Sequence, residues 1–201
     1  MATREPARKA QRTGEETRLA LLDAARTQFG QFGYAATLTE DVVAQAGVTK
    51  GALYHHFGGK TELFAEVYEQ VKREIADQFA EVFVECDHWI ALIEGCRRII
   101  DAQLDPAVRQ IVLSDARAVL GWDTVRRIET QHGGVALRGA LRMAMVAGVI
   151  ERQPLRPLSL MLSGALSESV SYVAEADDPV AARQEVDAIV LRILEGLRPQ
   201  Q

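Results

Sequence analysis

Six apolar residues, Phe64, Val67, Val71, Ile75, Phe79 and Val82, recur at steps of three and four along the middle of the chain. That spacing keeps one face of an α-helix apolar for about five turns, and no strand has such a period. It predicts a long helix beginning near Lys60, just past the Gly58-Gly59 pair. The rest of the chain has to pack around it.

Upstream, the pattern becomes helical from Glu15. Leu22, Ala25, Phe29 and Phe32 form an apolar stripe that stops at Gly33. Thr37 and Glu40 then have the spacing of a capping box and open a short helix through Ala46. Gly47 breaks that helix, and Thr49 is the N-cap candidate for another through about Phe57. Downstream, helices are expected at about 87–104, 106–120, 122–131, 135–150, 157–176 and 179–197. Asp105-Pro106 and Asp178-Pro179 each set an N-cap residue before a first-turn proline, and Gly133-Gly134 marks a further break. No segment alternates like a strand. The expected class is all-α with nine to ten helices: a disordered tail over 1–14, a three-helix unit over 15–59 and a larger helical unit over 60–201.

The chain has 201 residues, enough for a proper core, and no apolar run approaches the ~18–20 residues of a membrane span. The N-terminus has no apolar secretory segment, so a cytoplasmic protein is expected. The net charge of −5 is uneven: residues 1–60 carry eight Lys/Arg against six Asp/Glu, the remainder fifteen against twenty-two. The only basic balance is N-terminal, which is where an anionic partner would be met. Cys86 and Cys96 read as buried free thiols; with His88 they lack the close paired spacing of zinc ligands. The adjacent His55 and His56 point about 100° apart on a helix and cannot readily share an ion. No cofactor and no metal are expected.

Residues 37–63, TLTEDVVAQAGVTKGALYHHFGGKTEL, hold two short helices joined at Gly47, a helix-turn-helix pattern. Val42, Val43, Ala46 and Val48 can fix the angle between the helices, and Leu53 and Phe57 can bury the inner side of the second. Thr49, Lys50, Gly51, Ala52, Tyr54 and His55 are left outward. In a major groove, Lys50 suits guanine acceptors, Ala52 a thymine methyl, and Gly51 close approach. Tyr54, His55 and the hydroxyls of Thr37, Thr39 and Thr49 suit phosphates. So does Lys60, at the start of the next helix.

The segment from about residue 15 to 70 resembles the DNA-binding domain of the tetracycline-repressor (TetR) family of bacterial regulators. The matching residues are Gly33-Tyr34, Thr37, Ala46-Gly47-Val48-Thr49, Gly51-Ala52-Leu53-Tyr54, His56-Phe57, Lys60 and Leu63. Val42-Val43 stands where the family often has Ile-Ala. Beyond residue 70 the likeness lies in length, helix content and helix order. The resemblance implies a homodimer reading a near-palindromic double-stranded DNA operator, and a C-terminal domain that binds a small-molecule effector and thereby releases DNA.

Trp89, Arg117, Trp122, His132 and Met145 are candidate pocket residues, and a buried Arg117 would suit an anionic ligand. Leu158, Leu162, Leu166, Val170 and Val173 form one stripe, and Val186, Ile189, Ile193 and Leu197 another. With their symmetry mates these would make a four-helix dimer interface, the alternative being that both stripes face their own subunit's core. An activator of the same fold is an alternative to a repressor. An enzyme would need a nucleophile elbow, metal constellation or phosphate-cradling loop, none of which is seen. A non-specific architectural DNA binder would need a large positive charge, which the acidic C-terminal part argues against.

Overall fold

The computed structural model describes residues 13–85 and 87–199. Most of the expected disordered tail and Cys86 lie outside these residues. Thr13 and Gly14 do not: Thr13 caps the first helix, its Oγ1 accepting from the Glu16 amide while the Glu16 carboxylate accepts from the Thr13 amide at 2.7 Å. This reciprocal pair is a capping box, so Thr13 and Gly14 belong to the first helix and its cap and not to the expected tail.

Helix α1 (Gly14–Ala36) buries Leu21, Leu22, Ala25 and Phe29, and then Gly33. Phe32 is 52% exposed, so the stripe runs on to Gly33 and not to Phe32. At Gly33 the backbone takes φ 77°, a left-handed value that a side chain would strain, and the helix kinks. The kink explains a second correction. Thr37 does not cap the following helix α2 (Thr39–Ala46); Leu38 holds that position without a side-chain bond. The Thr37 hydroxyl donates instead to the Gly33 carbonyl at 2.8 Å and the Gln28 carbonyl at 3.1 Å. It serves carbonyls at the kinked end of α1, and Thr37 is left 1% exposed.

Helices α3 (Lys50–Phe57) and α4 (Lys60–Glu85) follow, and α4 buries all six residues of the long stripe, from Phe64 to Val82. A first core joins α1, α2, α3 and the front of α4 to Ile111, Val112, Val125 and Ile128. The N-terminal unit is therefore packed directly onto the C-terminal part. Arg18–Glu66 and Arg26–Glu74 tie α1 to α4 from outside. Such part-exposed pairs contribute less than about 1 kcal/mol each, against ~1.5–3 kcal/mol for each buried large side chain. Packing holds the unit together.

Beyond lie α5 (His88–Leu104), α6 (Pro106–Arg109), a π-helical stretch (Gln110–Asp115), α7 (Ala116–Gln131), α8 (Gly133–Val146), α9 (Leu155–Glu175) and α10 (Pro179–Glu195). Asp105 and Asp178 cap α6 and α10 as expected, each accepting two backbone amides. The expected break between 120 and 122 falls at Gly121, which has φ 75° inside α7. The π-helical stretch has no counterpart in the sequence pattern. Gly133-Gly134 opens α8 instead of lying before it.

Two further cores fill this part, one around Phe79, Leu92, Leu137, Leu141 and Leu162, the other around Cys96, Ile100, Leu166, Val170 and Val186. This corrects the expected dimer stripe. Leu162, Leu166, Val170, Val173 and Val186 are 7% exposed or less, and Leu158 packs half-buried on the Phe79 cluster. They face their own chain, because α8 covers the front of this stripe and α5 its remainder: Leu162 clusters with Leu137 and Leu141, and Leu166, Val170 and Val186 with Cys96 and Ile100. Ile189 and Ile193 do point outward. Burial pushes the Cys96 thiol up to about 12, so it is an inert core side chain at neutral pH. Among the described residues no helix is long and apolar enough to cross a membrane, and no cluster of His, Cys, Asp or Glu could hold a metal ion.

Candidate nucleic-acid interface and inner cavity

The turn between α2 and α3 is set by Gly47 at φ 67°, ψ 35°. From there the Gly47 amide reaches the Ala44 carbonyl at 3.2 Å, and the Val48 amide the Val43 carbonyl at 3.0 Å. A left-handed residue just past a helix end closes the last carbonyls in this way. The Thr49 hydroxyl then caps α3 by accepting from the Ala52 amide at 3.3 Å. Leu53 (fully buried) and Phe57 anchor α3 on the head, with Val42, Val43 and Ala46 opposite.

With the inner side so fixed, Thr49, Lys50, Gly51, Tyr54 and His55 are exposed and Ala52 is half-exposed. They form one outward face on a rigid helix eight residues long. Lys50 is not a free cation on that face: its Nζ lies 2.6 Å from the Glu40 carboxylate of α2. The Lys50 bond holds the Glu40 carboxyl down to about 2, and Thr39 adds a hydroxyl bond at 3.0 Å. Reciprocally, Glu40 raises the Lys50 ammonium above its ordinary value. Sequence reasoning misses the Glu40 partnership because the capping-box spacing assigns that carboxylate elsewhere.

Lys60 rests its ammonium 4.2 Å from the centre of the Tyr34 ring, and partial burial lowers its pKa against a smaller opposing pull from Asp115. Tyr34 is pinned in turn by a 2.8 Å bond between its hydroxyl and that of Thr61, and by its amide, which donates to the Asp115 carboxylate at 2.8 Å. His56 is half-buried beside Phe57. Buried Thr37 has no hydroxyl to offer a phosphate and leaves the candidate set.

The C-terminal helices enclose a cavity of about 310 Å³ between α4, α5, the π-helical stretch, α7, α8 and α9. Arg117 and Trp122 line it; Arg117 is exposed at its edge, not buried. Trp89, His132 and Met145 do not. Trp89 lies under the Arg198 guanidinium, His132 bonds Glu69 at 2.9 Å, and Met145 packs on the Phe79 core. Sequence reasoning missed Lys72, Gln103 and Glu129, which also face the cavity.

An exposed recognition-type helix braced on a three-helix head defines a helix-turn-helix DNA-binding protein. Residues 21–67 match the family described as bacterial regulatory proteins, tetR family, and residues 89–197 match the tetracyclin repressor-like C-terminal domain. The crystal structure of a TetR-family transcriptional regulator from Pectobacterium atrosepticum superposes with a TM-score of 0.79 at 34% identity, covering 94% of this chain and 99% of that one. The HTH-type transcriptional regulator AcrR of Shigella flexneri is 39% identical over 71 residues, 35% of this chain and 33% of that protein. The probable acrEF/envCD operon repressor of Escherichia coli is 37% identical over 81 residues, 39% of this chain and 37% of that protein. These matches to curated relatives thus span only about a third of those proteins' length. The chain belongs to the TetR family of bacterial transcriptional regulators.

Proposed function

We propose that this regulator is a repressor that binds a near-palindromic operator as a homodimer and is released by a small molecule in its inner cavity. The observation that carries the DNA-binding half is the outward face of α3, where Lys50, Gly51, Ala52 and Tyr54 are presented together while Leu53 and Phe57 fix the helix from behind. In this reading residues 15–59 bind DNA together with Lys60 at the start of α4: Thr39, Thr49, Tyr54, His55 and Lys60 on phosphates and Lys50, Gly51 and Ala52 on bases. Residues 60–201 bind effector and partner. The repressor role is supported by the Escherichia coli relative, itself described as a probable operon repressor.

Dimerisation is assigned to the outer side of α9 and α10. Met161 (75% exposed), Ala165 and Tyr172 share one face of α9, and Ile189 and Ile193 lie outward on α10. Exposed apolar residues at helical spacing on adjacent helices suit a symmetric helix-on-helix interface.

Effector response has a short route to the head. Val112 and Leu113 of the π-helical stretch line the cavity, while Asp115 at its end holds the Tyr34 amide. A ligand that prefers one position of this stretch would shift the head through Tyr34 and Lys60.

The test is binding to operator and to random duplex across a salt series. Tyr54→Ala and Lys60→Ala are expected to weaken binding to both duplexes. Lys60→Ala should also flatten the slope of log affinity against log salt by about one phosphate contact per protomer. Two variants that bind like the parent would mean the DNA face lies elsewhere.

A further inference from the structure

The polar groups of the inner cavity are unbalanced in charge. Lys72 on α4 is the buried cation, its side chain 11% exposed. Its one carboxylate partner among the described residues is Glu129, whose Oε1 lies 3.5 Å away and also accepts from the Tyr68 hydroxyl at 3.4 Å. A good charge-assisted bond is about 2.7–2.9 Å, so one carboxylate oxygen is divided between two distant donors. Taking an ammonium out of water is costly unless its pairing is close, and this pairing is loose.

Two more cations stand on the lining. Arg117 and Arg126 lie over the Trp122 ring, at 4.9 and 5.9 Å from its centre, and neither makes an ion pair among the described residues. Arg117 of α7 and Lys72 of α4 both line the cavity. Among the described residues, the only other carboxylate on the lining is Glu168, exposed on α9. Deeper in, the Gln103 amide donates to the Ile99 carbonyl at 2.9 Å but leaves its own Oε1 buried with no partner among the described residues. A buried acceptor without a donor is uncommon and is what a ligand hydroxyl or amine would satisfy. Much of the remaining wall is apolar: Ile75, Phe79, Val112, Leu137.

We propose that the cavity takes a small hydrophobic carboxylic acid, with its carboxylate held by Lys72 and Arg117 and its hydrocarbon body against Phe79 and Val112. This proposal depends on the cavity being the effector site. A single buried cation suits a monoanion better than a phosphate ester carrying about two charges. The volume lies at the small end of ligand sites, which run ~300–1,000 Å³. A donor on the body would complete Gln103.

The experiment uses the full chain, the neutral dye Nile red as a marker of cavity occupancy, and three acid–alcohol pairs: octanoate and octanol, decanoate and decanol, benzoate and benzyl alcohol. Calorimetry and dye displacement are read for the parent and for Lys72→Met. At least one acid is expected to bind about tenfold or more tightly than its alcohol, and to lose about tenfold or more in Lys72→Met while Nile red binds both proteins alike. Dye binding with acids no better than alcohols, or acid affinity unchanged in Lys72→Met, overturns the carboxylate proposal and leaves the cavity as an effector site. If neither dye, acid nor alcohol enters, both readings fall. Lys72→Met removes a poorly paired buried charge and is expected to fold. Should it not, Arg117→Ala, at an exposed position, is judged by the same criterion.

Discussion

Phe29→Ala is expected to destabilise the protein by about 3–5 kcal/mol, the range for emptying a large aromatic site in a closed core. Phe29 is fully buried, meets Phe64 of α4 edge-on with ring centres 5.1 Å apart, and lies 5.8 Å from Tyr34. Its loss would leave a void where α1, α4 and the ring beneath Lys60 converge. Phe32→Ala, three residues on but 52% exposed, should change stability by no more than about 0.5 kcal/mol. Urea denaturation followed by circular dichroism checks both. Equal effects would mean that α1 does not turn Phe29 to the core and Phe32 to the surface. Phe29→Ala should also weaken operator binding, since it loosens the base on which α3 is mounted.

Lys50→Ala is expected to change which base is preferred at one position of each half-site, by ~1–3 kcal/mol. The Glu40 pair gives this prediction its form. In the free protein the Lys50 charge is matched at 2.6 Å by Glu40, so Lys50 adds little net attraction to phosphates. Meeting guanine means exchanging a carboxylate for base acceptors, which favours a base that offers two of them over one that does not. Glu40→Gln, which removes the competing carboxylate, should tighten binding and keep the base preference. Competition binding with operators changed one base pair at a time measures both variants. An unaltered preference in Lys50→Ala would remove this residue from the base-reading set.

The head was largely legible in the sequence because its determinants are local. Gly47, Thr49, Leu53 and Phe57 fix the turn, the cap and the buried side of α3 within a dozen residues, and each has the role its spacing implied. Thr37 shows the limit of local reading: its spacing to Glu40 satisfied a capping box, yet a kink four residues earlier turned its hydroxyl inward. The cavity was not legible. Lys72, Gln103 and Glu129 come from three helices far apart in sequence, and each alone looks like an ordinary polar residue on a helix. The stripe on α9 is a buried face, as its spacing implies, but it is covered by a different partner from the one expected, and on α10 Val186 is buried while Ile189 and Ile193 stay outward. Periodicity says that a face is covered, and only packing says by what. Leu166 and Val170 meet Cys96 and Ile100 of the same chain.

The outward side of α3 as a reader of duplex DNA is tested most directly by selecting bound duplexes from a random pool with the purified chain. An enriched inverted repeat is expected, its half-sites spaced by about one helical turn (~34 Å) or a multiple of it. A pool with no common sequence after repeated rounds would contradict the account.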